Sequence, residues 1–189
     1  YAFRDPRPLF QALDLLAGRA AIDLGRVRVR FYGTPVAEIR ALAKGFACSS
    51  AVEALPRIGR SEMLTLQQSA TVLLNLQGSE AGGAVPSKLL EYLGARRPIL
   101  NIPSDQGGGD AVLNRTGAGQ TATEVEEIAA VVGAWYSEWR RTGVVRWPGR
   151  ASEVAFYSRR NQAAILGRVF DEAASQTPPV NVDGSVCLR

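Results

Sequence analysis

The sequence predicts an α/β domain: a Rossmann-like, doubly wound parallel sheet with helices on both faces. Three observations predict it. Short apolar runs rich in β-branched residues alternate with longer segments of helical periodicity. Runs such as TVLLNL are apolar at nearly every position, which fits strands covered on both sides rather than on one. The chain has 189 residues, 46% hydrophobic and 21% charged, enough to bury a substantial core without disulfide staples.

The elements read in order as follows. Arg7–Arg19 is a helix with Leu9, Phe10, Leu13 and Leu16 on one face. Val27–Tyr32 is a strand ended by Gly33, with Arg26, Arg28 and Arg30 on its solvated side and Val27, Val29 and Phe31 inward. Pro35–Phe46 is a helix with proline near its first turn. Val52–Ile58 is a strand. Ser61 is expected to cap a helix reaching Ser69, and Thr71–Leu76 is a buried strand. Ser87–Arg96 is a helix, Pro98–Ile102 a strand, and Asp110–Arg115 a short helix that Asp110 caps. Ala118–Thr121 is an edge strand. Thr123 is expected to cap a long helix to Arg141, whose Trp135 and Trp139 share a core-facing stripe with Ile128, Val131 and Val132. Glu153–Ala174 is a helix bent near Tyr157. The domain is expected over residues 1–175, with 176–189 a loose tail.

In doubly wound sheets, ligands bind beyond the carboxyl ends of the strands, where the strand order switches. The loops of interest are therefore Gly33–Pro35, Gly59–Ser61, Gln77–Ser87 and Pro103–Asp110. The first helix has no strand ahead of it. A doubly wound domain has its first strand in mid-sheet, so that strand is expected upstream of Tyr1.

Composition narrows the chemistry. The net charge is +4 and no block of five basic residues occurs, so nucleic-acid binding is not expected. There is no histidine, which removes Ser-His catalysis and most zinc sites from this chain. Cys48 and Cys187 match no metal spacing, and no metal or cofactor is expected. No run of 18 apolar residues occurs.

The segment PSKLLEYLGARRP carries the most chemistry. Leu89, Leu90 and Leu93 form one stripe of its helix; Ser87, Lys88 and Glu91 lie on the other side. The first-turn N–H groups lack helical partners and attract anions, and Lys88 adds charge. Glu91, one turn in, could accept both hydroxyls of a ribose. The simpler account is that Ser87 caps the helix and Lys88 and Glu91 form an exposed i,i+3 pair. Its place after a buried strand and a glycine loop (QGSEAGGAV) favours the binding account. The glycines of DQGGGD are equally read as close approach to a ligand or as loop punctuation.

The span TVLLNLQGSEAGGAVPSKLLEYLGARRPIL resembles the donor-binding core of retaining glycosyltransferases of the GT-B fold, family 4 (group 1). RDPRPLFQALDLLA, VRVRFYG, RTGAGQTA and YSRRNQAAILGRVFDEA resemble the surrounding elements, so the likeness covers nearly all but the tail. It implies a C-terminal domain that binds a nucleoside-diphosphate sugar, with acceptor bound by an N-terminal domain not contained in this chain. Glu91 would bind the ribose, and Ser87, Lys88 and Leu89 the diphosphate. Ile58 and Gly59 would lie against the base, with Gly82 and Gly83 in the donor loop. Lys88 and Arg4 would stabilise the leaving diphosphate and are the catalytic candidates. The family often carries a sugar-binding glutamate eight positions before the ribose glutamate. Gly83 stands there, and Glu80 is the substitute if the loop holds an insertion. The resemblance further implies polysaccharide synthesis in a bacterial cytoplasm, with peripheral association of the full-length protein at the inner membrane face. A GT-B-type nucleotide-sugar epimerase and a non-catalytic Rossmann-like interaction module are the alternatives.

Overall fold

The computed structural model describes residues 4–78 and 85–176. The chain divides into two units, Tyr1–Arg150 and Ala151–Arg189. The first unit is α/β, with parallel strands in two sheets and helices around them, an arrangement compatible with a Rossmann-like domain.

Helix α1 (Arg7–Gly18) buries Leu9, Phe10, Ala12, Leu13 and Leu16, the face expected from the spacing. Strand β1 (Val29–Tyr32) pairs in parallel with β2 (Val52–Leu55), Val29 opposite Val52. Helix α2 (Val36–Ala43) and a short 3-10 turn (Ala47–Ala51) connect them. Phe31 points into the core, whereas Arg28 and Arg30 reach Glu53 of β2 at 3.4 and 2.7 Å. These exposed pairs contribute about 0.2–1 kcal/mol each.

Helix α3 (Arg60–Ser69), β3 (Leu73–Leu76), α4 (Ser87–Ala95), β4 (Ile99–Ile102), α5 (Gly108–Thr116), β5 (Gly119–Thr121) and α6 (Val125–Thr142) follow. The second sheet has the order β3-β4-β5, all parallel. Helix α1 packs against α6 and α2, and α3 packs against α4. Leu74, Leu76, Leu100 and Ile102 join α1 and α6 in one core, where Phe10 meets Phe31 and Phe46 edge-on at 6.2 and 5.6 Å. Leu73, Leu89, Leu93 and Ile99 are buried apart from that cluster. Strand neighbours thus alternate between two apolar layers, as the pleat requires.

Several boundaries differ from the expectation. The strand expected at 52–58 ends at Leu55, because Pro56 has no N–H to continue the ladder. The helix expected at 35–46 spans only Val36–Ala43, since Lys44 turns extended and Gly45 takes φ 92°. Ser61 does not cap α3; Gly59 holds that position and makes no side-chain cap bond. Ser87 is likewise the first helical residue after Pro86 rather than the cap. Glu124, not Thr123, caps α6, in a reciprocal capping box with Glu127. The Thr123 hydroxyl instead accepts the Ser104 N–H at 3.1 Å. Asp110 lies inside α5, and Asp105 takes the capping role by accepting N–H bonds from Gly107, Gly109 and Asp110.

The second unit begins with α7 (Ala151–Phe156) and α8 (Arg159–Gln176). The expected bend at Tyr157 is a full break. The Asn161 and Gln162 side-chain amides donate to the Ala155 and Phe156 carbonyls at 2.7 and 2.8 Å, satisfying the end of α7. Leu166, Val169 and Phe170 of α8 are exposed. Among the described residues, no helix is long and apolar enough to cross a membrane.

Candidate functional site

The loops leaving β2 and β3 lead directly into α3 and α4. Both helices start without a side-chain cap, behind Gly59 and Pro86 respectively. Their first-turn N–H groups are therefore the kind of unsatisfied donors that draw anions. The two starts are tied together. Arg60, the first residue of α3, donates from Nη2 to Glu91 Oε1 of α4 at 3.2 Å. That contact brings Ile58 and Gly59, which immediately precede Arg60, toward the Ser87–Glu91 turn.

The expected Lys88–Glu91 pair is thus replaced by an Arg60–Glu91 pair. Lys88 turns instead toward the ring of Tyr92, 5.6 Å from its centroid. The residue is exposed as a whole, with its ammonium beside the Tyr92 ring. Loss of water there lowers its pKa below the ordinary lysine value; the nearby positive charge of Arg4 adds to the shift, and Glu91 opposes it. Arg4 is thereby near enough to act on Lys88. Burial raises the Tyr92 hydroxyl's pKa, and Glu91 raises it further. Lys88 and Arg60 thus stand on either side of the Glu91 turn, Arg60 in contact with its carboxylate and Lys88 within the same helix.

The stripe expected from Leu89, Leu90 and Leu93 is corrected by one residue. Leu89, Tyr92 and Leu93 are buried, while Leu90 is 38% exposed. Spacing of three and four residues puts Tyr92, not Leu90, on the core side. Ser87, Lys88 and Glu91 are exposed, whereas Leu89 is buried and its N–H donates to the Pro86 carbonyl at 2.9 Å. Ile58 is half-buried. Glu80, Gly82 and Gly83 lie outside the described residues.

Arg60 is the residue that sequence reasoning missed. It stood inside a loop already singled out, but assigning the cap to Ser61 drew attention past it. Only the packing of α3 on α4 pairs it with Glu91.

A second polar cluster lies at the ends of β3, β4 and β5. Asn75 donates to Asn101 at 2.6 Å, and Asn101 donates to Asp110 at 2.8 Å. Asp110 also accepts from Thr121 at 2.9 Å, from the Gln106 N–H at 3.0 Å, and from the Ser104 hydroxyl. An open groove of about 470 Å³ adjoins it, lined in part by Asn114, Thr121 and Glu124. The three carboxylates there are engaged internally: Asp110 as described, Glu127 by the Thr123 and Glu124 N–H groups, and Glu124 by the Glu127 N–H of the capping box. The cluster holds the loop together. Gly109 belongs to the same packing, because a Cβ there would collide with Gln77 Nε2 and Asp105 Oδ2. That decides between the two readings of the DQGGGD glycines for this position: it serves close protein packing.

No protein-family model matches the chain, and no curated protein matches it significantly.

Proposed function

We propose that this chain is the donor-binding domain of a retaining GT-B-type glycosyltransferase, holding a nucleoside-diphosphate sugar at the starts of α3 and α4. The observation that carries the reading is the Arg60–Glu91 contact at 3.2 Å, which ties the first residue of α3 to the second turn of α4, two helices that start uncapped after β2 and β3. Strand ends of this kind are where parallel sheets receive ligands. The resemblance of the 86–98 segment to the family supplies the substrate class.

In this reading the diphosphate lies against the first turn of α4, with Lys88 and Arg4 as counter-charges. Charge grows on the leaving phosphate as the sugar departs, and fixed cations and N–H dipoles stabilise that charge more than the ground state. Glu91 accepts the ribose hydroxyls and Arg60 holds its carboxylate in place. Ile58 and Gly59 line the base. The acceptor is bound by a partner domain, so this chain binds nucleotide without turning donor over. The activity belongs in the cytoplasm or at the inner membrane face, where nucleotide sugars are made.

Thermal unfolding with UDP, GDP and ADP tests the proposal, because a ligand of the native state raises the melting temperature. At least one nucleotide is expected to raise it. Glu91→Ala is expected to weaken that nucleotide by about tenfold or more, the scale of a lost hydrogen bond to a charged group. Arg60→Ala should weaken it less. Absence of any shift at millimolar nucleotide would sink the reading.

A further inference from the structure

We propose that α8 is a self-association surface, on which a second copy of this chain lays its own α8 in the antiparallel sense about a two-fold axis. The inference concerns the second unit alone and does not depend on what the first unit binds.

One side of α8 is already in use. The Asn161 amide donates to an α7 carbonyl, and Ile165, one turn on, is half-buried. At roughly 100° per residue, Ala163, Leu166 and Phe170 form a stripe on a different face, with Val169 at its border. Leu166, Val169 and Phe170 are 52%, 52% and 63% exposed. Single exposed apolar residues are ordinary, but a continuous stripe marks an interaction surface.

The charges identify the occupant. Arg159 and Arg160 open the helix, and Asp171 and Glu172 stand toward its other end; the first turn has no acidic residue and the last no basic one. This order opposes the helix dipole, whose amino end favours acids and whose carboxyl end favours bases. Among the described residues none of the four is engaged in an ion pair. An antiparallel neighbour reverses the conflict, because each basic start then lies beside an acidic end. A face with this polarity is the complement of itself turned end for end, which is the condition for a two-fold interface. The apolar register agrees. The midpoint between Arg159 and Glu172, and between Arg160 and Asp171, falls next to Leu166. Matching the charges therefore stacks Leu166 on Leu166 of the second copy and brings Phe170 near the small Ala163. A parallel pair sets arginine against arginine, and an anionic lipid surface suits the arginines but repels Asp171 and Glu172. Two helices of this length meet over about 27 Å, which makes a small interface and a weak, reversible dimer.

Sedimentation velocity of the chain, from low to several hundred micromolar, tests the proposal. A monomer–dimer equilibrium is expected, and Phe170→Asp is expected to abolish it. The double variant Arg159→Glu, Arg160→Glu should weaken association by about tenfold or more, as should Asp171→Arg, Glu172→Arg, because symmetry turns attraction into repulsion at both ends of the pair. Mixed together, the two charge-reversed variants should form a heterodimer about as tight as the parent, since opposite charges meet again at each end. Both reversals accord with the helix dipole, so circular dichroism should show the helices intact and exclude unfolding as the cause of any loss. The proposal is overturned if the chain is a monomer at every concentration, or if mixing the reversed variants restores nothing. A dimer indifferent to Phe170→Asp and to the reversals overturns it as well, by placing the interface elsewhere. So does a monomer that binds anionic vesicles, which gives the stripe to a lipid surface.

Discussion

Asp105 accepts backbone N–H bonds from Gly107, Gly109 and Asp110 around the start of α5, plus one from the Gln77 side chain at 3.0 Å. Burial by itself would raise its pKa; the N–H groups of Gly107, Asp110 and Gly109 outweigh that and hold it below the ordinary 3.8. A carboxyl depressed in the folded state contributes stability above its unfolded pKa and loses it as pH falls through the folded value. Asp105→Asn is therefore expected to destabilise most above pH 3.8, with its difference from the parent narrowing at lower pH, as urea unfolding at several pH values would show. Gly119 makes a different demand. A Cβ there would collide with the Ile99 carbonyl across the β4–β5 pair. Gly119→Ala should cost about 1–3 kcal/mol, the scale of overpacking, and a midpoint unchanged in urea would contradict this. Cys48 is buried, and its thiol pKa is pushed up to about 12, first by burial and then by the Asp14 carboxylate. It should stay unmodified by iodoacetamide at pH 8 in the native state and react on unfolding, which peptide mapping resolves.

At the scale of elements, periodicity was informative and caps were not. The buried face of α1 followed from Leu9, Phe10, Leu13 and Leu16, because one apolar stripe has a single orientation toward a core. The strands β3 and β4 followed from their apolar runs. Cap assignments failed at Ser61, Ser87, Asp110 and Thr123. In each case a suitable side chain lies within a few residues of the helix start, and the choice depends on where the preceding loop directs the backbone. Asp105 illustrates this: it reaches Gly107, Gly109 and Asp110 only because Gly109 leaves room for it. The candidate site divides the same way. Ser87, Lys88 and Glu91 were legible from helical spacing, whereas Arg60 was not, because its partner is 31 residues away and on another helix.

At the scale of the molecule, two parallel sheets share one helix layer through α1 and α6, and a second apolar layer gathers Leu89, Leu93 and Ile99. The sequence by itself determined the alternation of strand and helix, the parallel class of sheet, and the positions where polar side chains follow strand ends. Those features depend on the chain's own periodicity, which neighbours in sequence specify. The tertiary structure alone decided that Glu91 pairs with Arg60 rather than Lys88, that Asp105 rather than Asp110 caps α5, and that the described strands divide into the sheets β1-β2 and β3-β4-β5. Each is a contact between segments distant along the chain, and such contacts exist only once the helices have packed.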